Sequence, residues 1–348
     1  MNTAIERHDL PLADEFAISR GSMAVAETVS VSIDADGTTG IGGAAPSAYY
    51  GETAETVEAV LPGLVEAVKE VDASNLQRIE RRLAETVGDN PAARAAVSIA
   101  CWDRHARSLD APLYRVLGLD PEATPATSFT IGLADLDRMA EKTNAAIADG
   151  YDVLKVKVGT ERDREVVETV RAAAPDATIR VDANGAWGPH EAVEMTDVLA
   201  AHDVEFVEQP VPGADVGDLR FVREQGAIPV AADESCVTAA DVPRIGGARA
   251  GDAAVADIVV VKLMKCGGVG PALEQIRAAH ASGLDVMLGC MIESNASIAA
   301  AAHLAPLVEY ADLDGSLLLA DDAYTGVEMP DGELDLAAVE RGTGVERA

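Results

Sequence analysis

From about Thr127 onward the hydrophobic pattern repeats one unit: a short β-branched run, a polar turn, then an Ala-rich stretch with helical spacing. The runs SFTIG, VLKVKVG, TIRVDANG, VEFVEQP, IPVAADES, DIVVVKLMK, LDVMLGC and EYADLDG read as strands. In five consecutive runs a charged residue marks the strand end: Lys157, Asp182, Glu208, Asp233 and Lys262, spaced 25, 26, 25 and 29 residues apart. That spacing is one strand and one helix with short loops. Eight units in series predict an α/β fold, a modified (β/α)8 barrel rather than an open sheet. A doubly wound sheet is the alternative, but no GxGxxG turn follows the early strands to support it.

Alternation within the strands assigns their faces. In VLKVKV, Leu154, Val156 and Val158 point one way, toward covering helices, while Lys155 and Lys157 point into the barrel mouth. Residues 1–122 carry another pattern. ETVSVSID and TTGIGGAAP suggest an antiparallel meander, and helical spacing follows over residues 51–71, 74–87 and 90–109. The expected division is therefore an α+β capping domain over 1–122, the barrel over 123–321, and a C-terminal segment, 322–348, that returns to the cap.

Composition narrows the setting. Hydrophobic residues make up 48% of the 348 but aromatics only 3%, so Ala, Val and Leu must fill the core. No apolar run reaches membrane-span length, and MNTAIERHDL lacks a signal-peptide core. Cys101, Cys236, Cys266 and Cys290 are scattered without a CxxC pair, which suggests a reducing, cytoplasmic location. With 59 acidic against 27 basic residues, the net charge of −32 argues against nucleic acid and anionic membranes as partners. Carboxylates spread along the whole chain fit a protein kept soluble at high salt; an ordinary acidic protein is the alternative. Only six lysines remain, Lys69, Lys142, Lys155, Lys157, Lys262 and Lys265, and four sit in KVK and KLMK. Survivors of so strong a depletion are expected to serve chemistry.

That chemistry can be read from the strand ends, because the carboxyl ends of barrel strands carry the active site. Internal salt bridges are the plainer reading of such charges, but five strand ends in register favour a site. Asp182, Glu208 and Asp233, from successive strands, offer hard oxygen ligands suited to Mg2+. No His or Cys joins them, which argues against zinc. Lys157 and Lys262 flank the trio and would approach a ligand from opposite faces. A divalent cation on a carboxylate stabilises the enediolate formed when the adjacent carbon loses its proton. A lysine removes that proton only when neutral, so neighbouring cations, Lys155 and the metal, must lower its pKa. Two lysines on opposite faces give removal on one side, delivery on the other, and inversion.

These residues, in the contexts KVK, DAN, EQP and ADES, resemble the muconate-lactonizing subgroup of the enolase superfamily, in which Lys bases work beside Mg2+. The resemblance runs from cap to tail. It implies that Lys157 and Lys262 are the acid/base pair and that Lys155 lies near the metal-bound carboxylate. The mandelate racemase branch would place a His at the seventh strand end, where this chain has Gly289 and Cys290. Asp312-Leu-Asp314 resembles the DxD motif with which dipeptide epimerases hold a substrate's α-ammonium group, although a solvated acid pair would look the same. CMIES, with Met291, and SRGS resemble the same family, and Thr130 stands where it has a substrate-contacting threonine.

The chain also departs from that pattern. Where Ala-Glu epimerases have an arginine for the glutamate side chain, this chain has Met23. Met23 can pack on an apolar side chain, as it can in a plain core. The family's GxGE turn ends here in Gly43, which removes a polar contact from the cap. The loops holding Met23 and Tyr49-Tyr50-Gly51-Glu52 are expected to form a substrate lid. The implied activity is Mg2+-dependent 1,1-proton transfer on a dipeptide with an uncharged second residue. Syn elimination as in o-succinylbenzoate synthases, N-acylamino acid racemisation, muconate cycloisomerisation and a silent binding barrel are the alternatives. A homo-oligomer is compatible with the resemblance; no surface patch identifies one.

Overall fold

The computed structural model describes residues 2–214, 216–247 and 253–348. Strands β1 (Asn2–Ile18), β2 (Gly21–Ala35) and β3 (Thr38–Ala44) form an antiparallel meander in that order. β1 escapes sequence patterning because it is an edge strand. It carries Pro11, its register shifts between Pro11 and Phe16, and most of its side chains stay exposed or half-buried. Helices α1 (Ala54–Val68), α2 (Leu76–Thr86) and α3 (Pro91–Ser108) fall inside the three helical ranges read from the sequence. The glycines of TTGIGG have a specific purpose. A Cβ on Gly40 would lie 2.0 Å from the Ala100 carbonyl oxygen, and one on Gly42 2.1 Å from that of Ala96. Only glycine lets β3 lie so close to the alanine face of α3.

The second sheet is the predicted barrel. β4 (Phe129–Ile131), β5 (Val153–Lys157), β6 (Thr178–Asp182), β7 (Val204–Glu208), β8 (Val230–Ala232), β9 (Ile258–Lys262), β10 (Asp285–Gly289) and β11 (Tyr310–Asp312) run parallel in sequence order. A bridge from Thr127 to Ala311 draws the first and last strands together, with the Ser128 amide donating to Ala311 O at 3.1 Å. The barrel is thus nearly closed. Leu154, Val156, Val158, Ile179 and Val181 are fully buried among the outer helices. The barrel floor is filled by Phe206, Ala231, Ile258, Val260 and Met287, with the Arg180 guanidinium over the rings of Phe206 and Tyr310. One boundary differs from the sequence reading. KLMK does not continue β9: the strand stops at Lys262, and Leu263–Cys266 turns helical before Gly267 at φ 102°.

The tail adds β12 (Tyr324–Thr325) paired with β13 (Glu346–Arg347) and returns to the N-terminal sheet. The Tyr324 hydroxyl donates to Ser30 Oγ at 2.9 Å. Among the described residues no helix is long and apolar enough to cross a membrane, and all four cysteines are unpaired.

The tail is anchored on a fully buried carboxylate in α3, Asp103. It accepts from the amides of Ile41 (3.0 Å) and Thr343 (2.7 Å), and pairs with Arg107 at 2.9 Å. Removing one partner of a buried pair costs about 3–5 kcal/mol. Asp103→Ala should therefore lower the urea midpoint markedly, and an unchanged midpoint would show that the tail is held by other contacts.

Candidate active site

The strand register sets the site. Lys157 pairs with Asp182, and Asp182 with Glu208, across β5–β7. Lys262 pairs with Gly289, and Gly289 with Asp312, across β9–β11. The chain leaves these ends in tight turns: Asn184 and Gln209 take left-handed backbone, φ 47° and 38°. Gln209 then uses its side-chain oxygen to accept from the amides of Asp233 (3.0 Å) and Ser235 (3.1 Å), fixing the end of β8.

At the centre is the Lys155 ammonium, buried among three carboxylates. Its Nζ lies 2.7 Å from Asp312 Oδ2, 2.7 Å from Glu208 Oε2 and 3.3 Å from Asp182 Oδ2. Lys157 Nζ is 2.5 Å from Asp182 Oδ2, and Lys262 Nζ is 2.9 Å from Asp233 Oδ2. The salt bridges set against a functional site in the sequence reading thus exist, and they join the very residues nominated for chemistry. Asp182 and Glu208 are fully buried, while Lys155, Lys157, Asp233 and Lys262 line a cavity of about 750 Å3 between cap and barrel.

The electrostatics follow from this packing. Burial opposes the charge on Lys155, but the carboxylates of Asp312, Glu208 and Asp182 outweigh it and hold the ammonium well above its usual pKa. Lys262 is likewise pushed up against its burial, by Asp233 and Glu208. Against the upward push of burial, Lys157 and Lys155 hold Asp182 down at about 2. Burial and the charge of Asp182 raise Glu208 to about 7. The carboxylates therefore favour the ammonium form of Lys262, and a second cation is needed to reverse that bias.

The donor set fits a hard divalent cation. Among the described residues no three acidic, His or Cys side chains are gathered tightly enough to enclose a metal unaided. The candidate ligands are nonetheless all oxygen, and both carboxylate oxygens of Glu208 are buried without a hydrogen-bond partner; its contact with Lys155 is an ion pair only. Such acceptors are the kind a cation satisfies.

The remaining nominated residues are distributed as follows. Thr130, Met291, Met23, Asp312 and Asp314 all line the cavity. Asp314 Oδ2 accepts from the Thr130 amide at 2.6 Å, and burial with the neighbouring charge of Asp312 raises its pKa to about 7. Asp312 differs from expectation: its oxygens are engaged by Ser128 Oγ (2.5 Å) and Lys155 (2.7 Å). Lys155 therefore braces Asp312 as well as Asp182 and Glu208.

Three details of the cap differ from the sequence reading. Met23 is not in a loop; it lies in β2 opposite Phe16, beside the hairpin turn, and is 46% exposed. Glu52 is no mobile lid residue, because its buried carboxylate accepts from the Ala92 amide (3.0 Å) at the start of α3. Tyr49 and Tyr50 do lie at the mouth, in a 3-10 turn. Gly43 is packed against Ala296 of the helix Asn295–Ala302, where a Cβ would already stand 3.0 Å from the Ala296 methyl. The missing acid of GIGG thus coincides with a tight contact. At the seventh strand end, a Cβ on Gly289 would lie 3.1 Å from Lys262 Cε, so this glycine makes room for the lysine.

Sequence reasoning assigned no role to Lys265, Arg20 or Glu234. Lys265 is fully buried and pairs with Asp233 Oδ1, donating also to the carbonyls of Asp233 (2.8 Å), Val260 (2.9 Å) and Cys236 (3.2 Å). The scarcity of lysine pointed to it, but its role required tertiary contacts. Arg20, in the β1–β2 turn, donates to Glu234 Oε1 at 2.7 Å and stacks over the Tyr49 ring at 4.5 Å.

Comparison with known proteins agrees with this geometry. Residues 138–347 match the enolase C-terminal domain-like family, and residues 1–118 match the mandelate racemase/muconate lactonizing enzyme N-terminal domain. An L-Ala-D/L-Glu epimerase from Bacteroides thetaiotaomicron is 37% identical over 330 residues, covering 94% of this chain and 84% of that protein. The crystal structure of the Enterococcus faecalis V583 dipeptide epimerase complexed with Mg and L-Leu-L-Tyr superposes with a TM-score of 0.93 at 32% identity, covering 99% of each chain. The N-succinyl Arg/Lys racemase of Bacillus cereus ATCC 14579 superposes with a TM-score of 0.92 at 27% identity, covering 99% of this chain and 95% of that one.

The buried acids generate a pH prediction. Burial raises Glu293 to about 7 against bonds from Ser297 and the Met291 amide, and raises Glu52 to about 7 against the Ala92 and Ala93 amides. For these acids the folded state binds protons more tightly than the unfolded chain, so the stability they contribute is full below about pH 4.5 and is lost as pH rises to 7. In EDTA, Tm should drop across that window, and Glu293→Gln should flatten the slope. A slope unchanged by the substitution would show that Glu293 does not contribute.

Proposed function

This chain belongs to the enolase superfamily, in its mandelate racemase/muconate lactonizing enzyme family, and from that membership we propose that it is a Mg2+-dependent dipeptide epimerase. The observation that carries the reading is one cavity bounded by Lys157 and Lys262 beside Asp182 and Asp233, with Asp312 and Asp314 in the same wall. The relatives support it: one is an L-Ala-D/L-Glu epimerase, another a dipeptide epimerase holding Mg and L-Leu-L-Tyr.

In this reading Asp182, Glu208 and Asp233 hold Mg2+, which supplies stabilisation of the negative charge that develops on the substrate carboxylate. Lys157 and Lys262 do the proton work. One Nζ takes the proton from the α-carbon, the other returns a proton to the opposite face, and the centre inverts. Asp314, with Asp312 behind it braced by Lys155 and Ser128, binds the α-ammonium group, while Thr130 positions Asp314 through its amide. Met291 and Met23 belong to the walls that receive substrate side chains.

The basic side chains around the cavity favour an uncharged second residue. They are Arg20, Lys155, Lys157 and Lys262, and each already faces a carboxylate. Phe16, Ile18, Met23 and Val25 supply an apolar wall instead. An acidic side chain placed there would lose water without gaining a cation. Racemisation of N-acylated amino acids is the second reading, favoured by the engagement of both Asp312 oxygens and by likeness to the N-succinyl Arg/Lys racemase. The acidic surface, −32 overall, further supports adaptation to high salt.

Lys157→Ala and Lys262→Ala should each abolish epimerisation of L-Ala dipeptides while the fold persists by circular dichroism. In heavy water each variant should still exchange the α-proton of one stereoisomer only; full turnover by either would refute the two-base scheme. N-acetylation of the dipeptide should lower kcat/KM on the order of a hundredfold, whereas faster turnover of acylated amino acids would select the second reading. Met23→Arg should raise activity on Ala-Glu relative to apolar dipeptides, and no change in that ratio would remove Met23 from the specificity wall. Tm should climb as KCl rises from dilute to molar; a flat profile would contradict salt adaptation.

A further inference from the structure

Among the described residues, four buried acceptor oxygens without a hydrogen-bond partner are contributed by residues at the barrel mouth: both carboxylate oxygens of Glu208, Asn184 Oδ1 and Glu234 Oε2. Glu208 already belongs to the trio read as holding the cation, Asp182, Glu208 and Asp233. Glu234 does not, yet its side chain is only 2% exposed and it lines the cavity directly after Asp233 in the chain. Its two oxygens are treated differently. Oε1 accepts from Arg20 Nη1 at 2.7 Å, and the same nitrogen donates to the Asn184 carbonyl at 2.9 Å. Oε2 has no donor. Asn184 in turn donates through its amide nitrogens to both oxygens of Asp182, at 2.8 and 3.3 Å, which ties Glu234 and Asp182 to one neighbourhood.

A carboxylate with one oxygen fixed by an arginine and the other buried without a donor is oriented for something positive or for a donor that something positive holds. We propose that Glu234 is a fourth carboxylate of the cation site, acting on the cation directly or through its water, with Arg20 as the counter-charge that fixes its orientation. The inference rests on the reading of the centre as a Mg2+ site. The competing role is a clamp, in which Glu234 serves only to hold Arg20 and thereby the β1–β2 hairpin against the barrel. The two roles predict different effects. A clamp is broken equally from either side, whereas a cation-binding carboxylate and its neighbouring positive charge act on Mg2+ in opposite senses.

Calorimetric Mg2+ titration of the full chain separates them, with Tm in EDTA reporting the fold independently. Glu234→Gln should weaken Mg2+ binding about tenfold or more, in the range found for partners that support a metal's ligands. Arg20→Gln should cost clearly less affinity than Glu234→Gln, or tighten binding, even though it breaks the same ion pair. Wild-type affinity in Glu234→Gln, or equal losses in both variants, would overturn the assignment. Should Glu234→Gln melt below the titration temperature, Glu234→Asp keeps the charge but withdraws the oxygens by one methylene, and is read by the same criterion. A wild-type chain that binds no Mg2+ would overturn the reading of the centre itself, an outcome distinct from failure of Glu234 alone.

Discussion

The burial of the Lys155 ammonium among Asp182, Glu208 and Asp312 is the constraint on which the rest of the site depends. Charges so far from water are tolerated only when paired and held in good geometry. Here the pairing spans β5, β6, β7 and β11, so the cluster forms only when the barrel has brought its first and last strands together. Closure through Thr127, Ser128 and Ala311 and assembly of the charge cluster are thus one event.

Every neighbouring feature adapts to that cluster. Left-handed turns at Asn184 and Gln209 carry the chain away from the strand ends, and Asn184 folds back to donate to both oxygens of Asp182. Lys265 neutralises Asp233 from behind while Lys262 faces it from the cavity. Gly289 leaves the seventh strand end open for Lys262. The cap completes the enclosure: β3 lies against α3 through glycines, and the β1–β2 turn reaches over the mouth with Arg20. An interior built largely of Ala and Val suits this plan, because small side chains permit the close approaches that position the charged ones.

Much of this was legible in the chain. Eight β-branched runs gave the eight parallel strands, and charged residues at five strand ends located the mouth, because parallel strands of one barrel end on one face. The scarcity of lysine singled out Lys155, Lys157, Lys262 and Lys265. β1 was not legible, since an edge strand with a proline alternates only briefly, at buried Leu10 and Leu12, and is otherwise exposed or half-buried. Nor was the helical turn at Leu263–Cys266, where Lys265 leaves the strand to reach Asp233 from the other side.

The sequence by itself determined the repeat, the register of inward and outward side chains and the chemical identity of the strand-end groups, because periodicity and residue type are local properties. Only the tertiary structure decided how those groups pair. That Asp312 answers to Lys155, that Glu52 serves α3 rather than a lid, that Met23 stands on a strand, and that Arg20 reaches Glu234 across 214 positions depend on distances between segments remote in the chain. Those distances are set by barrel closure and by how nearly small residues let the cap approach, and no local pattern encodes them.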